Sequence, residues 1–178
     1  MEIPLRIQNE INDKTEIIIN CAGRTRSIIG AQNLINFGIK NKVRALENGT
    51  QGWTLSGYKL ENNKTEALNL DKIKSQKSKY QNSANNIINK FNLKKINLRT
   101  LNSFLEEKTK NTFIFNVTAI QNFSENKMYL KHAPGGQLIQ ATDSFVGVLN
   151  GKIVLIDDGE LLRASLTASW PVSYTHLR

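Results

Sequence analysis

The single cysteine of the chain, Cys21, stands in the stretch IIINCAGRTRSIIGAQNL, and two arginines, Arg24 and Arg26, follow it within five residues. A thiol between the end of a strand and the start of a helix meets unpaired backbone N–H groups and the positive end of the helix dipole, and both favour thiolate over thiol. Fixed positive charge on Arg24 and Arg26 acts in the same direction. Such surroundings bring a cysteine pKa from about 8.5 into the range of roughly 3.5–7.5. Gly23 lets the backbone turn closely enough for successive N–H groups to converge on one anion, and guanidinium groups can fork around the oxygens of a tetrahedral oxyanion. Cys21, Ala22, Gly23, Arg24, Thr25 and Arg26 thus read as a nucleophile with a cradle for an anionic substrate. A buried structural cysteine is the competing reading, and two arginines beside an inert thiol argue against it.

The flanking pattern supplies elements to hold such a loop. Ile17–Asn20 is a short β-branched strand candidate. Thr25–Phe37 carries apolar residues at Ile28, Ile29, Ala31, Leu34 and Ile35, the spacing of a helix with one buried face, and Gly38 is placed to stop it. Val43, Ala45 and Leu46 form a second strand, followed by a turn-rich loop, ENGTQGWTLSG, closed by Trp53 as core packing beside the helix. Strand, helix, strand at this spacing predicts a βαβ unit with parallel strands.

From Glu61 to Lys95 the chain is rich in Asn and Lys, with helical periodicity at Ile73, Tyr80, Ala84, Ile87, Ile88 and Phe91. This reads as a long, weakly amphipathic linker helix on the surface. A second patterned region follows. It comprises a helix around Leu98–Lys108 with Leu101, Phe104 and Leu105 on one face, a strand at Thr112–Val117, and a tight loop at His132–Leu138. Then come a buried strand at Lys152–Gly159 and a helix from Glu160 to Trp170. His132 precedes a Pro-Gly-Gly turn and reads as a turn residue rather than a base. Pro171 is expected to interrupt the last helix.

Composition narrows the function classes. Hydrophobic residues make up 39% and aromatics 7%, so the core is mostly aliphatic. No run of about 18 apolar residues occurs, so no membrane span is expected, and MEIPLRIQNE lacks a signal-peptide pattern. A lone cysteine makes no internal disulfide, which fits a reducing cytoplasm. With His132 and His176 far apart, it makes no Cys/His zinc cluster either. The net charge of +9 raises nucleic-acid binding. The excess lysine, however, lies in Lys59–Lys110 without interleaved aromatics, so no nucleic-acid partner is expected.

Spacing then separates two anion chemistries. Cysteine phosphatases place an arginine six residues after the cysteine, in a loop sized for phosphate. Here Arg26 is five residues after Cys21, a tighter loop better suited to a sulfur atom carried on the cysteine. With no acidic general acid nearby, a phosphatase or arsenate reductase is disfavoured. Cys21-Ala22-Gly23-Arg24-Thr25-Arg26-Ser27 resembles the active-site loop of the rhodanese sulfurtransferase superfamily, and LENGTQGW (Leu46–Trp53) resembles the segment that follows its next strand. NCAGRTRSIIGAQ and ALENGTQGWTL are very similar to one domain of the multi-domain bacterial rhodanese-related sulfurtransferases. HAPGGQLIQATD (His132–Asp143) and RASLTASW (Arg163–Trp170) are similar to the next domain. The resemblance covers roughly residues 3–60 and 96–170.

The resemblance implies an α/β fold of rhodanese-like parallel-sheet domains with flanking helices. It also implies a double displacement. The Cys21 thiolate takes a sulfane sulfur from thiosulfate or a similar anionic donor and passes it to cyanide or a thiol. Arg24 and Arg26 hold the donor, and the amides from Ala22 to Arg26 stabilise the persulfide. No metal or organic cofactor is implied.

In the second region the matching loop is DDGELLRAS. Counting back five residues from Arg163 lands on Asp158, and a carboxylate cannot carry sulfane sulfur, so that domain is expected to be catalytically silent. Asn116 and Thr118 stand where the family has a charged pair. The expected organisation is the C-terminal half of an active domain (residues 1–60), the helical linker (61–95), the N-terminal part of a silent domain (96–170) and a tail of doubtful origin (171–178). Both domains are incomplete, and contact with the missing rhodanese domains is possible on this reading. A hybrid sheet built from both half-domains is a further expectation. A non-catalytic rhodanese-like interaction module is the alternative to the enzyme.

Overall fold

The computed structural model describes Pro4, Ile7 and residues 11–64, 77–118 and 130–175, with residues 77–79 and 172–175 as backbone only. The chain divides into two compact units, Met1–Lys77 and Ser78–Arg178.

In the first unit, β1 (Ile17–Ile19), α1 (Thr25–Phe37) and β2 (Val43–Ala45) form the βαβ element that the periodicity demands. The strands are parallel, with Ile17 opposite Val43 and Ile19 opposite Ala45. The approach to β1 is pinned by buried Asn41, whose amide donates to the carbonyls of Asn12 (2.8 Å) and Thr15 (2.9 Å). Helix α1 ends at Gly38, at φ +91°, whose N–H bonds the Ile35 carbonyl while Ile39 N–H reaches Leu34. Its buried face is rotated from the expected one. Ile29, Ala31, Leu34 and Phe37 are buried, whereas Ile28 and Ile35 are exposed. Each fully buried large side chain of this set contributes about 1.5–3 kcal/mol.

The stretch read as a turn-rich loop contains a helix, α2 (Gly49–Leu55). Trp53 is not core packing: it is 39% exposed, donates from its indole N–H to the Lys59 carbonyl, and lies 4.6 Å from the Tyr58 ring.

In the second unit, α3 (Lys77–Lys90) covers only part of the Asn/Lys-rich stretch. Residues 61–64 are not helical, and Ile73 falls outside the described residues. Helix α3 is no solvated surface connector, because Tyr80, Ala84 and Ile87 are each almost fully buried. The weak amphipathicity came from its polar majority, and the few apolar positions are those that pack. Helix α4 (Leu98–Glu106) starts at Asn97, whose side chain accepts the Thr100 N–H at 2.9 Å. Leu101 and Phe104 are half-buried, and Leu105 is exposed.

Strands β3 (Thr112–Asn116), β4 (Leu130–His132) and β5 (Lys152–Ile156) make a parallel sheet in the order β4-β3-β5. The five strands thus form two separate sheets, and no hybrid sheet exists among the described residues. His132 ends β4 rather than sitting in a turn. The Pro-Gly-Gly sequence after it opens α5 (Gly135–Gln140), followed by α6 (Thr142–Phe145). Strand β5 is half-buried rather than fully buried. Helix α7 (Leu162–Thr175) runs through Pro171 instead of stopping there. The core gathers on β3: Phe115 and Val117 pack with Ala133, Leu138 and Ala164, and the Phe145 ring stands edge-on to Phe115 at 5.9 Å.

Candidate active site

The cysteine loop, residues 20–24, joins the end of β1 to the start of α1. It is held from the far side by the beginning of α2. Thr50 N–H donates to the Cys21 carbonyl at 2.8 Å and Gln51 N–H to the Ala22 carbonyl at 3.0 Å. First-turn amides have no partner inside their own helix, so α2 spends two of them on the loop. The close approach depends on Gly49, at φ +59°. A Cβ there would lie 2.2 Å from the Cys21 carbonyl oxygen and 2.4 Å from that of Gly23. Asn48, at φ 53°, and Gly49 make the left-handed turn that aims α2 at the loop.

Cys21 is half-buried. Its S–H donates to the hydroxyl of Ser27 at 3.6 Å, and that hydroxyl donates to the Arg24 carbonyl at 2.8 Å. Burial pushes the thiol pKa up. The Ser27 hydroxyl, the backbone N–H groups of Ser27 and Gly23, and the charge of Arg26 together outweigh it and hold the thiol below its ordinary value. Arg26 is the arginine whose charge reaches the sulfur. Arg24 occupies the N-cap position of α1 without a side-chain capping bond. Ala22, Arg24, Thr25 and Arg26 are all exposed, and Gly23 is half-buried against the Gln51 side chain. The loop therefore favours the thiolate form of Cys21 and carries two exposed arginines, groups that can attack and hold a small anion.

In the second unit, β5 and α7 are joined by residues 157–161, five residues like the 20–24 loop. Asp158 stands two residues past its strand, as Cys21 does, and Arg163 is the second residue of its helix, as Arg26 is. Arg163 pairs with Asp158 at 2.5 Å. The neighbouring Asp157 carboxylate accepts the N–H groups of Gly159, Leu161 and Ala164, each at 3.1 Å. The anion nest of this loop is thus filled from within. Beside it, Tyr80 has its pKa raised by burial and by the Glu160 charge. The Asn116 side chain accepts the Thr118 N–H at 2.9 Å, and His132 Nε2–H donates to the Thr118 carbonyl at 2.9 Å, so both serve the sheet end.

Ser27, Gly49 and Asp157 are the residues in or against these two loops that sequence reasoning did not single out. An Asp two residues before a glycine at a helix entry is a capping signal, and Asn-Gly before a helix is a left-handed-turn signal. Nothing in the spacing alone marks Ser27.

Comparison with solved structures finds the crystal structure of a thiosulfate sulfurtransferase from Pseudomonas aeruginosa, similar to this chain at 35% identity and a TM-score of 0.80 over 95% of the chain. The chain spans 32% of that protein's length. No protein-family model and no curated protein matches. Among the described residues, no helix is long and apolar enough to cross a membrane.

Proposed function

We propose that this chain, a member of the rhodanese superfamily, transfers sulfane sulfur through a persulfide on Cys21. The Cys21 thiolate attacks the outer sulfur of thiosulfate or a similar anionic donor. The Sγ–S bond forms as the donor's S–S bond breaks, and its electron pair leaves on sulfite. A thiol or cyanide then attacks the outer sulfur, and the electron pair returns to Cys21 as thiolate. No oxidant or reductant is consumed beyond donor and acceptor, and no metal or organic cofactor takes part.

The observation that carries this reading is the thiol itself. It is half-buried at the mouth of α1 and held below the ordinary thiol pKa by Ser27, the Gly23 amide and Arg26. Both displacement steps need a sulfur that is stable as an anion, first as attacker and then as leaving group. Arg24 and Arg26, exposed on the same loop, supply charge for the donor's sulfonate oxygens. The second loop takes no part, because Asp158 cannot form a persulfide and Arg163 is committed to it. A reducing cytoplasm suits the lone thiol.

Intact mass after incubation with thiosulfate tests the reading. The expected result is a gain of about one sulfur, roughly 32 mass units, on the parent and none on Cys21→Ser. A folded parent that gains nothing would overturn it in favour of a non-catalytic interaction module.

A further inference from the structure

We infer that Ser27 is a positioning residue whose hydroxyl changes partner when Cys21 ionises, donating to the Arg24 carbonyl beside a thiol and to Sγ beside a thiolate. The inference rests on the persulfide reading of Cys21 for its purpose but not for its test. Ser27 is fully buried, so water cannot serve its hydroxyl. A serine hydroxyl has one hydrogen to donate. In the thiol state that hydrogen goes to the Arg24 carbonyl at 2.8 Å, and the oxygen accepts from the Cys21 S–H at 3.6 Å. Removing the thiol proton leaves the Ser27 oxygen without its donor and places an anion beside it. A hydrogen bond to a charged acceptor is stronger than one to a neutral carbonyl, so rotation of the hydroxyl toward Sγ follows.

The Arg24 carbonyl is not stranded by the exchange. The Ile28 N–H already approaches it at 3.3 Å, a long bond that shares the oxygen with Ser27. Loss of the serine donor lets this bond shorten, so the first turn of α1 closes as the thiolate forms. The charged side chain that reaches the thiol is Arg26 on α1, and Arg24 stands exposed at the N-cap of the same helix. Helix α2, packed against the loop, carries no ionisable side chain, and on the strands Arg44 is engaged with Glu16.

The test is the pH dependence of Cys21 alkylation by iodoacetamide in the parent, Ser27→Ala and Ser27→Thr, with folding checked by circular dichroism. Ser27→Ala should move the midpoint upward and slow alkylation at neutral pH by roughly three- to tenfold, while Ser27→Thr, which keeps the hydroxyl, should stay near the parent midpoint. A folded Ser27→Ala that titrates with the parent midpoint overturns the inference. So does a Ser27→Thr protein as slow as Ser27→Ala, since that points to packing instead. Thiosulfate loading of the parent is scored separately. An altered midpoint without sulfur gain leaves Ser27 assigned and removes the transferase, and sulfur gain with an unmoved midpoint does the reverse.

Discussion

Arg163 and Asp158 form a 2.5 Å ion pair across the loop that follows β5, at the loop positions that Arg26 and Cys21 hold after β1. The same strand, five-residue loop and helix thus appear twice, once open around a thiol and once closed on itself. What closes the second is as much Asp157 as Asp158, because the Asp157 carboxylate takes three of the N–H groups that a bound anion would use.

Restoring the missing cysteine alone should therefore fail. In a Cys21→Ser background, Asp158→Cys is expected to alkylate slowly at neutral pH and to gain no sulfur from thiosulfate. Adding Asp157→Ala should free the amides and raise the alkylation rate by about tenfold, at a cost of about 1–2 kcal/mol from the lost capping bonds. Intact mass and alkylation kinetics read both. A persulfide on the single Asp158→Cys variant would show that Asp157 does not block the nest.

Gly49 makes a different demand. Its missing side chain leaves room for the carbonyls of Cys21 and Gly23, so that the α2 amides reach those of Cys21 and Ala22. Gly49→Ala forces backbone apart and strains a positive φ, with an expected loss on the order of 2–3 kcal/mol and a collapse of Cys21 reactivity. Gly38→Ala is the control. It also has a positive φ, but open space around it, so it should cost about 1 kcal/mol and leave alkylation unchanged. Equal reactivity in the two variants would mean that α2 does not shape the loop.

The lowered Cys21 pKa sets a pH dependence of stability. Between the folded and unfolded thiol values, the unfolded chain binds a proton that the folded chain does not, so stability rises with pH through this window. The contribution is complete above the unfolded thiol value, about 8.5, and vanishes as pH falls through the lowered one. Urea denaturation across that window should show the upward slope in the parent and lose it in Cys21→Ser. A flat parent profile would contradict the thiolate environment described.

The legible parts of the fold are those written in short-range pattern. The helix Thr25–Phe37 and its Gly38 stop follow from periodicity and one glycine, and the parallel strands follow from the crossover. The burial of Tyr80, Ala84 and Ile87 was hidden, because a helix with so many Asn and Lys residues looks solvated until its partners are known. Helix α2 was hidden for the opposite reason. Its glycines and asparagine read as turn, yet Asn48 and Gly49 form the turn that starts a helix and Gly52 lies inside it. Pro171 reads as a stop because proline inside a helix costs about 3 kcal/mol, yet the last helix continues past it. At the site, Cys21 and the arginines were visible by type, whereas Ser27 and Asp157 act through hydrogen bonds that only the folded backbone defines.

Lys152 gives a last prediction in the second unit. Its ammonium sits 4.0 Å from the centroid of the Phe104 ring and is paired with Glu107, so one side chain ties β5 to α4 and the turn after it. The hydrogen bond from Lys152, then that from Thr109, holds the Glu107 carboxyl below its ordinary pKa. That contribution is present above the unfolded carboxylate range and is lost as pH falls through the lowered value. Glu107→Gln should therefore flatten the acid limb of the stability profile while changing neutral stability little. Lys152→Met removes the ring contact as well and should cost more, about 1–2 kcal/mol. High salt separates the two contributions, because the half-buried ion pair is weakened by screening more than the ring contact is. In high salt, Glu107→Gln should approach the parent while Lys152→Met remains destabilised. If both variants converge on the parent, the Phe104 contact contributes nothing.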